Sequence, residues 1–164
     1  MTASSLPTVH LPGVAVPLST AVLGTMSFGD TADAAATAAM FEAAMAAGIT
    51  GVDTANGYAL GTTESLIAPL VAAHRDRIVL ATKAGMPHPD AGDHSPLSAR
   101  GLRASVEGSL GRLSVETIDL FYLHQPDRSV TLDETLTTVA ELQAERKIGA
   151  LGVSNYAAWQ VADL

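Results

Sequence analysis

Five stretches of this chain are apolar at nearly every position: "TAVLGTM" (20–26), "GITGVD" (48–53), "RIVLATK" (77–83), "IDLFYLH" (118–124) and "IGALGVSN" (148–155). A strand with one wet face alternates, whereas one covered on both faces does not. These runs therefore predict strands of a parallel sheet lying under helices. Between them the period changes to that of a helix. Residues 33–47 set Met40, Ala44 and Ala47 beside Phe41 and Met45, and residues 98–113 repeat Leu102, Val106, Leu110 and Leu113. Residues 131–146 carry Leu132, Leu136, Val139 and Leu142 as their buried face, behind Thr131 and Glu134 at capping-box spacing. A further helical pattern, about 62–73, contains Pro69. A proline in a helix interior costs about 3 kcal/mol or kinks the helix, so a short or bent helix is expected. Ahead of the first strand, "VHLPGVAV" (9–16) reads as a small hairpin turning at Pro12-Gly13.

The strand ends fall near residues 26, 53, 83, 124 and 154, at intervals of 27, 30, 41 and 30, one strand-helix unit each. Repeated units of this kind are right-handed βαβ crossovers, and both a doubly wound sheet and a (β/α)8 barrel fit. "LGTMSFGD" has glycines only at 24 and 29, so no G-x-G-x-x-G follows the first strand. That weakens the dinucleotide-binding doubly wound reading and favours the barrel, in which the hairpin would plug the N-terminal end. Residues 1–164 are read as a single α/β domain.

Composition narrows the function. Of 164 residues 48% are apolar and 16% charged, a globular balance, and the net charge is -8 with no cluster of its nine basic residues. That balance argues against a nucleic-acid groove and against an anionic-membrane surface. The absence of cysteine excludes disulfides and thiolate zinc sites and points to a reducing, cytoplasmic setting. "MTASSLPTVHLPG" has neither the basic nor the apolar segment of an export signal, and the Ala-rich stretch 34–47 is too short to span a bilayer.

The strand ends themselves are polar. The second ends in Asp53 with Tyr58 in the loop beyond, the third in Lys83, the fourth in His124, and the fifth in Ser154 and Asn155. Taken singly these are a cap, a loop aromatic, a strand exit and a half-buried imidazole. Taken together they sit on the edge where barrel enzymes do their chemistry. A phenol titrates near 10 and is a poor acid at neutral pH, but an ammonium beside it favours the phenolate. Asp53 would hold Lys83 charged, Lys83 would tune Tyr58, and Tyr58 would donate a proton, while His124 would orient a carbonyl and stabilise charge on its oxygen. This set protonates an oxygen and supplies neither nucleophile nor metal. A hydride, if it is the missing partner, has to come from a nicotinamide.

The segments "LGTMSFG", "GVDTANGY", "ATKAG", "LFYLHQPD" and "GALGVSNY" follow, in order, those of the aldo-keto reductases, which the chain resembles from about residue 9 to its last residue. The resemblance implies a (β/α)8 TIM barrel that reduces an aldehyde or ketone with NADPH. It implies a catalytic tetrad of Asp53, Tyr58, Lys83 and His124. It further implies cofactor contacts at Gly24, Thr25, Met26, Asp53, Ser154 and Asn155, with Ser154 and Asn155 on the nicotinamide carboxamide. "DLFYLHQPD" and "SNYAAWQVADL" are most similar to the aflatoxin-aldehyde reductase branch. Potassium-channel β subunits share this fold and tetrad and act chiefly through a partner, so a non-catalytic regulatory subunit is the alternative reading.

Further expectations concern the loop after the third strand, two other histidines and the extent of the chain. "MPHPDAGDH" (86–94) holds His88, Asp90, Asp93 and His94, a set that could ligate a metal but is more simply a polar loop shaping substrate access, so no metal is assigned. His10 and His74 are read as surface residues without partners. Five βα units are visible where a closed barrel has eight, so the chain is expected to be the first part of a reductase, cut within its fifth barrel helix. Its open edges would favour self-association, and its grip on NADPH would be weak.

Overall fold

The computed structural model describes residues 6–164; residues 1–5, the start of the segment read above for an export signal, lie outside it. A two-stranded antiparallel hairpin, β1 (Thr8–Val9) and β2 (Leu18–Ser19), precedes a five-stranded parallel sheet. Its strands are β3 (Val22–Gly24), β4 (Gly51–Asp53), β5 (Val79–Ala84), β6 (Ile118–Leu123) and β7 (Ile148–Val153), hydrogen-bonded in sequence order. Helices α1 (Ala34–Ala46), α2 (Thr62–His74), α3 (Ala99–Leu113) and α4 (Leu132–Ala144) connect them, and α5 (Ala158–Asp163) follows β7. Sequential order with a helix in every crossover is the barrel path, in which each new strand adds to the same growing edge.

The two faces of the sheet divide the side chains with a period of two. Along β5, Leu80 and Ala84 join the clusters packed with the helices, whereas Val79 and Ala81 lie in a third cluster against Leu11, Val14, Val16 and Leu18 of the hairpin. The hairpin therefore caps the concave face, and its turn is the expected one: Val14 N donates to Leu11 O across Pro12-Gly13, with Gly13 at φ 79°. The helix-covered face holds two contiguous clusters. One is built on Phe28, Phe41, Val52, Ile67, Val71 and Leu80, the other on Leu102, Val106, Phe121, Leu123, Val139 and Leu142.

Several local expectations are corrected. Burial on both faces holds for β5, while the outermost strands β3 and β7 are partly exposed because each is paired on one side only. Helix α2 runs unbroken for 13 residues through Pro69, which lies on its exposed face; fully buried Ile67 and Val71 anchor the helix around the missing donor. In α1 the buried stripe is Thr37, Phe41 and Ala44, and Met40 faces solvent at 41% exposure. In α4 it is Thr135, Thr138, Val139 and Leu142, with Leu132 and Leu136 only half-buried. Small hydroxyl side chains bury there because each donates to a carbonyl, Thr135 to Leu97 and Thr138 to Glu134, at 3.0 and 2.9 Å. The capping box is half formed. Thr131 Oγ1 accepts from Glu134 N, but the Glu134 carboxylate accepts from Ala99 N at the start of α3.

Candidate active site

Asp53, Lys83, His124 and Ser154 all fall in the concave-facing phase of their strands and all lie at C-terminal ends. Register does the rest. Asp53 pairs with Ala81, so Lys83 lies two residues farther along and its long side chain reaches back. Lys83 Nζ donates to Asp53 Oδ2 at 2.6 Å, to Thr54 O at 2.9 Å and to Tyr58 Oη at 3.0 Å. The lysine is 8% exposed, and those three oxygens replace the water its ammonium gives up. The ammonium also lies 4.8 Å from the centre of the Tyr58 ring, while the His124 ring meets Tyr58 edge-on at 6.1 Å between centroids. The four sequence-derived tetrad residues thus form one cluster on the concave rim.

Tyr58 opens a tight turn, Tyr58–Gly61, whose Ala59 and Leu60 adopt left-handed φ angles of 45° and 51° ahead of Gly61 at 85°. For a residue with a Cβ that conformation costs about 1–2 kcal/mol, so surrounding contacts must hold it. One is close by: Thr63 Oγ1, in the first turn of α2, donates to Phe28 O at 2.6 Å in the interior.

His124 is 9% exposed, and its Nδ1 is buried. Burial, and secondly the Lys83 charge, lower its pKa below the ordinary 6.5, with Asp53 opposing only in part, so the ring is neutral at pH 7. A neutral imidazole beside the phenol can donate to a carbonyl oxygen without competing with Lys83 for Asp53. Two strands from Lys83, Ser154 N donates to Leu123 O, and Asn155, at φ 60°, donates through Nδ2 to His124 O at 2.8 Å and to Ser154 Oγ at 3.2 Å. Ser154 accepts there and keeps its own proton to give. Across the sheet, Thr25 is fully buried and spends both its N–H and its hydroxyl on Asp53 O, each at 3.0 Å, while Gly24 is exposed and Met26 is 70% exposed. A nicotinamide carboxamide would need a donor and an acceptor together, and the Ser154 hydroxyl and the Asn155 side-chain oxygen are of that chemistry.

Sequence reading missed several participants. Thr54 lends a carbonyl to Lys83. Tyr122 is register-paired with Lys83 and lines the concave floor with Asp53, and burial first, then the Asp53 charge, raises its pKa. Its place two residues before His124 was the available signal, since residues i and i+2 share a face. In "MPHPDAGDH", Asp93 and His94 are exposed, but His88 and Asp90 turn inward onto Arg112. Among the described residues no group of three or more His, Asp or Glu side chains gathers as for a metal ion. His74 is not a free surface residue: its Nε2 lies 2.9 Å from Glu42 Oε1, its Nδ1 contacts Arg77, and its ring packs on Phe41 at 5.9 Å. Among the described residues no helix is long and apolar enough to cross a membrane.

Comparison with known proteins agrees with the geometry. The chain is 38% identical over 151 residues to human aflatoxin B1 aldehyde reductase member 2, covering 90% of this chain and 41% of that protein. It is 40% identical over 146 residues to human aflatoxin B1 aldehyde reductase member 4, covering 87% and 43% respectively. It therefore spans about two-fifths of the length of these relatives. The solved holo form of the aldo-keto reductase AKR11C1 from Bacillus halodurans superposes with a TM-score of 0.85 at 26% identity, over 96% of this chain and 53% of that one. That structure and the five parallel strands establish the fold as part of a (β/α)8 barrel. With residues 21–164 matching the Aldo/keto reductase family, the ordered strand-end motifs have their explanation: this chain belongs to that family.

Proposed function

We propose that these residues are the catalytic half of an NADPH-dependent reductase that converts an aldehyde or ketone to the alcohol. The observation that carries this reading is the Lys83 ammonium, held at once by Asp53 Oδ2 at 2.6 Å and Tyr58 Oη at 3.0 Å. A bound nicotinamide would supply the hydride to the carbonyl carbon. As negative charge grows on the carbonyl oxygen, the Tyr58 hydroxyl gives up its proton to it. Lys83 stabilises the phenolate left behind, and Asp53 keeps Lys83 in place and charged. Neutral His124 donates to the same oxygen and fixes its direction. Ser154 and Asn155 would hold the nicotinamide carboxamide, with Gly24, Thr25 and Met26 along its other side. An aldehyde substrate is favoured because the similar proteins are named aflatoxin B1 aldehyde reductases. The absence of cysteine suits a cytoplasmic protein.

The test follows NADPH loss with a reactive aromatic aldehyde, for this chain and for the same residues extended to the relatives' length. Tyr58→Phe removes the proton source, together with the oxygen that accepts from Lys83 Nζ at 3.0 Å, so turnover should fall at least about 100-fold with the fold intact. Turnover that survives Tyr58→Phe would rule out Tyr58 as the acid. Absence of turnover in both lengths across a range of carbonyls, with a partner protein captured instead, would favour the regulatory-subunit reading.

A further inference from the structure

Behind the tetrad, on the helix-covered side of the sheet, lies a chain of charged groups that the proposed mechanism does not use. Thr82 is the neighbour of Lys83 on β5 and faces the other way. Its Oγ1 donates to Glu64 Oε1 at 2.6 Å, and Glu64 is fully buried in the first turn of α2. Arg112 of α3 donates through Nε to Glu64 Oε2 at 2.8 Å, and through both terminal nitrogens to Asp90 at 2.9 and 2.7 Å. His88 Nδ1 lies 3.0 Å from the same Asp90 carboxylate. One guanidinium thus joins β5, α2, α3 and the loop after β5.

Its position bears on Tyr58. The Arg112 side chain packs against Gly61, the last residue of the left-handed turn, so closely that a Cβ there would lie 2.7 Å from Nε and 2.8 Å from Cδ. Asp90 packs as closely against Gly108, where a Cβ would lie 2.5 Å from Oδ2. Ala59 and Leu60 do not choose their φ angles, so something outside the turn must hold it. Arg112 abuts one end of the turn and, through Glu64 and Thr82, grips the strand that carries Lys83. Arg103, by comparison, pairs with exposed Glu141 and Glu145 at the surface. Burial of an ion network this complete yields little net stability but fixes geometry, since removal of one partner leaves charges unpaired.

We propose that Arg112, with Glu64 and Asp90, is a positioning residue that sets the Tyr58 hydroxyl against Lys83 and ties the 85–92 loop to that setting. This rests on the reading of Tyr58 as proton donor. The prediction is a selective one. Arg112→Met should disturb the tyrosine turn, whereas Arg75→Met, which breaks the equally bidentate Arg75–Asp119 pair at the opposite end of the sheet, should not.

The first measurement is the nuclear Overhauser contact between the Tyr58 ring and the Lys83 side chain in the tyrosine-labelled chain, assigned with Tyr58→Phe. It should weaken severalfold in Arg112→Met and stay unchanged in Arg75→Met, with both variants folded by circular dichroism. Should Arg112→Met fail to fold, Arg112→Lys and Thr82→Val give the same reading. Lysine keeps the charge but lacks the fork that serves two carboxylates, and valine keeps the shape but lacks the hydroxyl. In a form that turns over, Arg112→Lys should lower kcat about 10–100-fold with KM within about threefold, since displacing a reacting group by about 1 Å costs on that order. An unchanged Tyr58–Lys83 contact in folded Arg112→Met, or in both substitute variants, overturns the proposal. If the unsubstituted protein turns over no carbonyl, the proposed function fails on its own, and the Overhauser contact still decides the role of Arg112.

Discussion

A single side chain can be read for its proton balance, and His124 allows the cleanest case. Burial first, then Lys83, hold its pKa below the ordinary histidine value of 6.5. In the unfolded chain the same ring takes a proton near that value. Below it the unfolded state therefore binds more protons, so stability is lost as pH falls through 6.5 and levels off only below the lowered folded value. Urea midpoints measured from about pH 8 to about pH 5 should decline for the parent chain and decline less for His124→Gln. Parallel curves would mean that the imidazole carries no such penalty. The position of His124 was legible in the sequence because a strand ending in a polar residue is visible as pattern. Its grouping with Tyr58 and Lys83 came from the order of the strand-end motifs, whereas the edge-on contact with the Tyr58 ring at 6.1 Å was not legible, because it arises between a loop and a strand 66 residues apart in the chain. The inward turn of His88 and Asp90 was equally hidden, since a polar loop reads the same whether its carboxylates meet water or Arg112.

At the scale of the element, the strands were legible as near-continuous apolar runs, and α3 by the helical spacing of Leu102, Val106 and Leu113, all buried. The stripe failed where composition is uniform. Alanine in α1 marks no face, so the exposure of Met40 followed from packing alone. Of the three glycines in helix α3, Gly108 and Gly111 are treated alike by a propensity scale. A Cβ added at Gly111 would meet nothing within 4 Å, whereas one added at Gly108 would lie 2.5 Å from Asp90 Oδ2 and 2.6 Å from its Cγ. Gly111→Ala should therefore stabilise the chain by about 0.5–1 kcal/mol through lost unfolded-state freedom. Gly108→Ala gains the same freedom but must push Asp90 off Arg112, so it should destabilise by about 1–3 kcal/mol. Urea denaturation of the pair checks this, and a stabilising Gly108→Ala would show that Asp90 is free to move.

For the molecule as a whole, the consequence of five parallel strands is two edges. In the described residues β3 and β7 each pair on one side, and the concave face between them is lined by Leu18, Val22, Val79, Leu120 and Tyr122. The hairpin covers part of that surface through Leu11, Val14 and Val16, but Val22 is 47% exposed on the outermost strand. Open edges carry unpaired main-chain donors and acceptors, and exposed apolar surface beside them favours association of one chain with another. The net charge of -8 opposes this only weakly at physiological salt, where charges farther apart than about 8 Å are screened. We expect sedimentation velocity of this chain to show a dimer or larger species that grows with concentration. Val22→Lys tests the cause. Its stem can lie along the apolar floor while the ammonium stays in water, the device by which natural sheets guard their edges. It should shift the population to monomer while leaving the stability within about 0.5 kcal/mol, because an exposed position contributes little to the core. A chain that is monomeric without the substitution would mean that the hairpin already shields the concave face well enough. A chain that associates equally with Val22→Lys would place the contact at β7 instead, where the strand-end pair Ser154 and Asn155 would then lie beside the interface.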